Sequence, residues 1–151
     1  MLAARNRPSH ARPLSLRATA WPTWLVLSGV TLLALALRLV PFLTAYPLHR
    51  DEALYGYWAQ LIASGQDPLL LSPWIDKPPL VLYLLAGSLR LFGTGATAPD
   101  DLALRLPGMV ASVLTVPALY GLARAALDRR TGLLAAALLA LSPFAILFAL
   151  T

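Results

Sequence analysis

Long apolar runs on either side of one polar stretch constrain the fold of this 151-residue chain more than any other feature. Hydrophobic residues make up 58% of the sequence and charged residues 13%, which is more apolar and less charged than a typical soluble domain. A helix needs roughly 20 apolar residues to cross the ~30 Å hydrocarbon core of a bilayer. The composition and the length of the runs therefore predict an all-α membrane protein.

Three segments are predicted to form transmembrane helices: residues 21–40, 102–127 and 131–151. Pro41 is expected to end the first of them, and the side chain of Arg38 is expected to extend to the membrane interface. The run from 80 to 92 has only 13 residues and would rise about 20 Å as a helix, which is too short to cross comfortably. Ser142-Pro143 in the last segment predicts a kink.

The positions of the arginines predict how these segments are oriented. Four arginines precede the first apolar run, so residues 1–20 are predicted to be a cytoplasmic tail and the run itself a retained anchor rather than a cleaved signal peptide. Three more arginines lie at the predicted turn 128–130 or shortly before it, and basic loops favour the cytoplasm. Three crossings place this turn inside the cell and four place it outside. Three crossings are therefore favoured.

With three crossings, residues 41–101 form one long external loop. Loops of this length usually carry structure and function of their own. Juxtamembrane helices are predicted at about 51–64 and 79–92, of which the second lies on the outer surface or dips into the membrane as a re-entrant helix. Asp51 is the expected N-cap of the first helix, and Gly65 is its expected stop.

The sequence argues against several functional classes. The net charge is +5, but the basic residues form no stripe interleaved with aromatic side chains, so nucleic acid is not a predicted partner. The absence of cysteine excludes a disulfide, a thiol nucleophile and a thiolate metal site. Ionisable groups close to hydrocarbon are energetically unfavourable and usually have a function. The acids and cations of the predicted external loop are therefore the candidate functional residues.

The acidic pair Asp51-Glu52 has two interpretations. The helix macrodipole favours acids in the first turn of a helix, and this role is purely structural. Alternatively, Asp51 is a general base that accepts the proton of an attacking hydroxyl group. Nearby residues lack the spacing of a histidine or cysteine metal site. Both interpretations stay open on the sequence.

The stretch Asp76-Lys77-Pro78-Pro79 also has two interpretations. Two prolines suit the start of a helix, and the acid before them suits its cap. Alternatively, the lysine and the amides of the helix start form an anion site, and on the external face the expected anion is the phosphate of a polyprenyl lipid. Arg105 either extends to the outer interface or is a second cation on this phosphate.

Several short motifs occur in an order and spacing typical of one enzyme family: Arg50-Asp51-Glu52-Ala-Leu-Tyr55, Gly65, Asp76-Lys77-Pro78-Pro79-Leu80, Leu91-Phe92-Gly93 and Arg105-Leu106-Pro107. Together they resemble the N-terminal part of ArnT-like and protein O-mannosyltransferase-like GT-C glycosyltransferases, including the RgtA-type branch. The resemblance covers residues 38–142. It implies inverting transfer of a sugar from a polyprenyl-phosphate donor to an acceptor hydroxyl group of an envelope glycan, lipid or protein at the outer leaflet.

The resemblance also implies roles for individual residues. Asp51 matches the catalytic base, and Lys77 matches the residue that contacts the lipid phosphate. Glu52, Tyr55 and Arg105 are predicted to bind the substrate together with Lys77. Asp76 matches a position that helps to hold a metal ion in ArnT-like members. The cofactor is otherwise undetermined, and a divalent metal is the one that the resemblance suggests.

Family members are several hundred residues long, and 151 residues correspond only to their first part. The chain is therefore expected to be a fragment of a GT-C fold that is inactive alone. It is expected to be a multi-pass protein of the plasma (inner) membrane, surrounded by membrane lipid, with its site on the external or periplasmic side. Two other functions stay open: a transporter or flippase fragment, and a small membrane interaction protein without catalysis. A transporter would show broken helices in matched halves, which the sequence does not indicate.

Overall fold

The computed structural model describes residues 21–44, 50–72, 75–94 and 100–150. This part of the chain consists mainly of α1 (Thr23–Leu43), α2 (Arg50–Ser64), α3 (Pro79–Phe92), α4 (Asp101–Ala126), α5 (Arg129–Leu141), α6 (Pro143–Leu147) and a 3-10 turn (Phe148–Leu150). No strand occurs among these described residues, and the prediction of an all-α fold is confirmed. The predicted cytoplasmic tail, 1–20, lies outside the described residues.

Among the described residues, two helices are long and apolar enough to cross a membrane, α1 with 21 residues and α4 with 26. They correspond to the predicted transmembrane helices at 21–40 and 102–127. Pro41 does not end α1, which continues to Leu43. A proline near the end of a helix removes only one intrahelical hydrogen bond, and the last turn forms in spite of it. The first transmembrane helix is thus slightly longer than its sequence predicts.

Helices α1, α4 and α5 pack side by side around small buried residues. Ala34 of α1, Val116 of α4 and Ala136 of α5 have no exposed surface. Small side chains let helix backbones approach closely, as is common between helices in membranes. At Gly132 the approach is so close that a Cβ atom would lie 3.0 Å from the Tyr120 carbonyl oxygen. A larger residue at this position would have to push α5 a few tenths of an ångström away from α4.

The start of α1 and the start of α5 lie at the same end of this bundle. The Arg129 guanidinium donates a 3.1 Å hydrogen bond to the carbonyl oxygen of Trp21, just before α1. A tight turn around Asp128 connects α4 to α5, so α5 runs back along α4. Consequently α1 and α5 point in the same direction, and α4 points in the opposite one.

Asp128 is the N-cap of α5. Its carboxylate accepts hydrogen bonds from the amides of Arg130 and Thr131, at 2.7 and 2.9 Å. These bonds, and first of all the one from Thr131, lower the pKa of Asp128. The stabilisation by a carboxylate of lowered pKa is complete above its unfolded-state pKa and is lost as the pH falls through the native pKa. The start of α5 is therefore expected to weaken only in acid.

Helices α2 and α3 form a helical hairpin that packs on the first turns of α4. The core of this α2–α3 hairpin and its contact with α4 comprises Trp58, Ala59, Ile62, Leu82, Ala86, Leu89, Ala103 and Leu104. The Ser88 hydroxyl group donates a 2.6 Å hydrogen bond to the Ala103 carbonyl oxygen and thereby joins α3 to α4. The two helices correspond to the juxtamembrane helices predicted at about 51–64 and 79–92.

Local signals set the ends of these two helices. Asp51 lies inside the first turn of α2, so it is not the N-cap that the sequence predicts. Gly65 follows α2 with a φ of 77°, a conformation that favours glycine, and ends the helix as expected. Pro79 is the first residue of α3, whose N-cap is Pro78 and has no side-chain capping hydrogen bond. Asp76 therefore does not cap α3.

The predicted third transmembrane segment, 131–151, is not one continuous helix in the described residues. Helix α5 ends at Leu141, Ser142 interrupts the helical conformation, and α6 begins at Pro143. Proline has no amide hydrogen, so Pro143 cannot continue the hydrogen-bond ladder of α5. The kink that Ser142-Pro143 predicts is thus a complete break.

Arg38 points into the helix bundle instead of extending to the membrane interface. None of its surface is exposed (0%). Its guanidinium donates hydrogen bonds to Ser112 of α4 and to backbone carbonyl groups near the end of α5. The expectation of an interfacial Arg38 is therefore wrong, because α4 and α5 offer acceptors inside the bundle.

Candidate functional site

A buried ion pair joins the first turn of α2 to α4. Arg105 Nη2 lies 3.3 Å from Glu52 Oε2, and only 5% and 9% of these side chains are exposed. The α2–α3 hairpin covers the start of α4 and thereby removes both charges from solvent. Buried charges are tolerated when they are paired. Arg105 therefore does not extend to the outer interface, which was one of its two sequence interpretations.

Arg105 also lines a cavity of about 180 Å³ between the hairpin and α4. The other walls are mainly apolar and include Tyr55 of α2, Val81 of α3 and Gly108 of α4. Charges act more strongly in such surroundings than in water. Glu52 offsets part of the charge and holds the guanidinium in place. This space, called the Arg105 cavity below, is suited to a ligand that has both an anionic group and an apolar part.

A second cavity, of about 90 Å³, has Lys77 in its wall. Tyr55 and Val81 line both cavities and so lie between them. Lys77 precedes α3, whereas Arg105 belongs to α4, and the packing of the hairpin brings both cations near the same tyrosine. The structure thus brings together Tyr55, Lys77 and Arg105, and it places Glu52 beside Arg105.

Lys77 and Asp76 form an exposed ion pair. Lys77 Nζ lies 3.5 Å from Asp76 Oδ2, and 44% and 62% of the two side chains are exposed. Exposed pairs contribute little stability and are screened by solvent. The ammonium group can therefore exchange Asp76 for a more strongly charged anion, such as a phosphate, with little loss.

Asp51 is exposed in the first turn of α2. Residues four apart lie on the same face of a helix, so Asp51 lies one turn from Tyr55, which lines both cavities. Among the ion pairs of the described residues, none joins Asp51 to Lys77. The structure therefore leaves the candidate base accessible to a molecule from solvent and does not bring it into contact with the candidate phosphate ligand.

The described residues do not complete a metal site around Asp76. No group of three or more His, Asp and Glu side chains comes together in this part of the chain. The charged partner of Asp76 is the Lys77 ammonium group. A divalent cation such as magnesium or calcium needs several oxygen ligands. The metal-binding role of Asp76 stays a prediction, and no step of the reaction below depends on a metal ion.

The sequence indicates most of the charged residues at these cavities but not which of them pair. Nothing in the sequence around Glu52 indicates a bond to Arg105, which lies 53 positions away. The sequence does not predict that Val81 and Gly108 line a cavity, because valine and glycine are common throughout apolar helices. Arg38 does carry a signal, since a charge within an apolar span is unfavourable unless it has partners.

The helices and cavities of the described part of the chain together define a class of protein. It is an all-α membrane protein in which α1 and α4 are long enough to span a bilayer and cations lie at small apolar cavities beside them. The sequence profile of the dolichyl-phosphate-mannose-protein mannosyltransferase family matches residues 76–151. The chain belongs to this family and is a membrane protein of the glycosyltransferase type. The family resemblance inferred from the motifs is confirmed.

The matched region contains Lys77 and Arg105, whereas Asp51, Glu52 and Tyr55 precede it. No curated protein and no solved structure matches the chain significantly. The family match therefore covers the two cations near Tyr55 but not the candidate base.

Proposed function

We propose that this chain forms the donor-phosphate side of the active site of a glycosyltransferase that uses a polyprenyl-phosphate-linked sugar. One observation carries the proposal: Lys77 and Arg105 line adjoining cavities that share Tyr55. Two cations near one small space suit a phosphate group, and apolar walls suit the lipid to which it is attached. The name of the family refers to a donor of the same chemistry, a lipid-phosphate-linked mannose.

The proposed reaction is an inverting displacement at the anomeric carbon of the sugar. The acceptor hydroxyl group attacks this carbon while its proton passes to the Asp51 carboxylate. The bond between the anomeric carbon and the phosphate oxygen breaks, and its electron pair stays on the polyprenyl phosphate. Lys77 and Arg105 stabilise the negative charge that develops on the departing phosphate.

Glu52 and Tyr55 support donor binding in this mechanism. Glu52 anchors Arg105 through the buried ion pair, so the guanidinium is already in position before the phosphate arrives. The centroid of the Tyr55 ring lies 6.1 Å from that of Trp58, and this packing holds the ring between the cavities. Both residues therefore act on the position of the donor and not on proton transfer.

Lys77→Met is expected to lower kcat/KM for the lipid donor by about 10- to 100-fold, since a hydrogen bond to a charged group contributes roughly 1.5–3 kcal/mol. Lys77 is 44% exposed, so its loss is not expected to disturb the fold. The measurement is sugar transfer in membranes that contain the full-length protein, with polyprenyl-phosphate-linked mannose as the donor.

Arg90→Met is the matched control for this variant. Arg90 is an exposed cation on the same hairpin, but its guanidinium binds the carbonyl oxygens of Ile62 and Ala63 at the end of α2. This variant should keep the KM for the donor. Undiminished transfer by K77M would contradict the proposed phosphate site. Equally efficient use of a nucleotide-linked mannose by the unmodified protein would contradict the proposed donor.

We also propose that the α2–α3 hairpin lies on the external, periplasmic side of the plasma (inner) membrane. The contact between Arg129 and Trp21 joins the basic turn after α4 to the start of α1. Basic residues favour the cytoplasmic end of a span. The hairpin follows the other end of α1 and precedes α4, so this orientation puts it outside.

Single cysteines at Asp100 and Arg130 test this orientation, because residues 1–151 contain no cysteine. We expect Asp100→Cys to react with a membrane-impermeant thiol reagent in intact cells, and Arg130→Cys to react only after permeabilisation. Val116→Cys, at a fully buried position of α4, is the control that should react under neither condition. Labelling of R130C in intact cells would reverse the proposed orientation.

A further inference from the structure

Arg38 places a charge inside the helix bundle, and no carboxylate of the described residues forms an ion pair with it. Its Nε donates a hydrogen bond to the Ser112 hydroxyl oxygen at 2.8 Å, and its Nη1 donates one to the Ala34 carbonyl oxygen at 3.1 Å. Bonds of 3.4 Å lead from Nη1 to the Ala140 carbonyl oxygen and from Nη2 to that of Leu139. These acceptors have to offset the desolvation of the guanidinium.

The two carbonyl groups of α5 are open to Arg38 because α5 is interrupted. In a continuous helix the Leu139 carbonyl oxygen would accept a hydrogen bond from residue 143, but Pro143 has no amide hydrogen. The Ser142 amide bonds to Leu139 at 3.3 Å instead, in a tighter turn. The last carbonyl groups of a helix carry partial negative charge, and a cation beside them is stabilising. Arg38, from another helix, therefore caps the broken end of α5.

The segment after the break returns to α4, the helix that carries Arg105. Ser112 accepts the bond from Arg38 and donates its own hydroxyl hydrogen to the Ala145 carbonyl oxygen at 3.3 Å. Further on, the Ala149 carbonyl oxygen is so close to Gly108 that a Cβ atom there would lie 2.8 Å from it. Gly108 lines the Arg105 cavity. A continuous set of contacts thus leads from Arg38 to the wall of this cavity.

We propose that Arg38 is a positioning residue that holds residues 143–150 against α4 and thereby shapes the Arg105 cavity. Without the guanidinium, the carbonyl groups of Leu139 and Ala140 lose the donor from α1, and Ser112 loses the group that orients its hydroxyl. Residues 143–150 then have no single defined position relative to α4. The connection to catalysis rests on the proposed function, whereas the capping of α5 does not.

Distances from pulsed electron paramagnetic resonance test the cap directly. Spin labels on cysteines at Leu122 of α4 and Leu147 of α6, both exposed, report the position of the segment after the break. Arg38→Met keeps an unbranched side chain but removes every donor. We expect it to shift or broaden the distance distribution by roughly 5 Å, the height of one helical turn. Arg90→Met is the matched control without a shift, since Arg90 binds carbonyl groups at the end of a different helix, α2.

Pro143→Ala makes the test specific to the break. Alanine restores the amide hydrogen at position 143, so α5 can continue and the Leu139 carbonyl group no longer needs the Arg38 guanidinium. R38M should therefore have a much smaller effect on the distance in the P143A background than in the natural one. Equal shifts in both backgrounds, or no shift in folded R38M protein, overturn the proposal. If R38M does not fold, Arg38→Lys, which has a single donor group, is compared in the two backgrounds by the same criterion.

Transfer measurements on the full-length protein separate this inference from the proposed function. A label shift in R38M together with a lower kcat supports both the cap and its effect on the cavity. A label shift with an unchanged kcat refutes the effect on the cavity. A label shift in a protein whose unmodified form transfers no sugar leaves the cap standing and refutes the proposed function.

Discussion

Asp51→Asn is expected to reduce kcat for sugar transfer by about 10²- to 10⁴-fold, the usual contribution of a general base. Asparagine has nearly the shape of aspartate but does not accept the proton of the acceptor hydroxyl group. Asp51 is exposed in the first turn of α2, so this change leaves the core of the hairpin intact. The measurement is transfer from polyprenyl-phosphate-linked mannose, with equal amounts of variant and unmodified full-length protein in the membranes.

Asp101→Asn is the matched control for this prediction. Asp101 is also an exposed acid in the first turn of a helix, in this case α4, and it has no role in the proposed reaction. Its variant should transfer sugar at a nearly normal rate. D51N should still bind the donor, since Lys77 and Arg105 are unchanged. Nearly normal transfer by D51N would remove Asp51 from the mechanism and leave the macrodipole as the explanation for its position.

Glu52→Gln is expected to lower the free energy of unfolding by about 3–5 kcal/mol, the effect of removing one partner of a buried ion pair. The guanidinium of Arg105 would remain charged and only 5% exposed, opposite a neutral amide. Arg105→Met is expected to have a similar effect, since it removes the cation beside the Glu52 side chain, of which only 9% is exposed. The double variant E52Q/R105M should be more stable than either single variant, because neutral replacement of a whole buried pair is often tolerated.

Thermal unfolding in detergent, followed by circular dichroism, compares the four proteins of this cycle. Asp76→Asn is the matched control, since it breaks the exposed pair with Lys77 and should change stability by at most about 1 kcal/mol. Losses that simply add in the double variant would show that the two side chains are not coupled. Losses in the single variants no larger than that of D76N would show that the buried pair contributes no more to stability than the exposed one.

The two ion pairs of the site are suited to different tasks. The exposed pair of Asp76 and Lys77 can open, so its lysine is free to follow a phosphate that enters and leaves. The buried pair of Glu52 and Arg105 holds one orientation, so its guanidinium provides a fixed charge. Substitution of Lys77 should therefore lower kcat/KM for the donor with little loss of stability, whereas substitution of Glu52 should lower stability and transfer together.

Local signals predict the α2–α3 hairpin closely. The sequence predicts a helix at 79–92, and the structure has α3 at Pro79–Phe92. A proline at the first position and a glycine after the last one act on the backbone directly, without the help of distant residues. The prediction of a third continuous span is less accurate. Whether Pro143 kinks or breaks the helix depends on whether another helix can bind the carbonyl groups that lose their amide donors.

The sequence by itself determined the membrane class, the all-α architecture, the family and the charged residues between the first two predicted transmembrane helices. Hydropathy, proline and glycine determine whether a segment is helical and where the helix ends, and they act within a few positions along the chain. Only the tertiary structure decided which charges find which partners. Glu52 binds Arg105, 53 positions away, and Arg38 binds the carbonyl groups of Leu139 and Ala140, 101 and 102 positions away. A buried charge needs a partner, and the packing of helices that are distant in sequence supplies it. The spacing of neighbouring residues does not predict that packing.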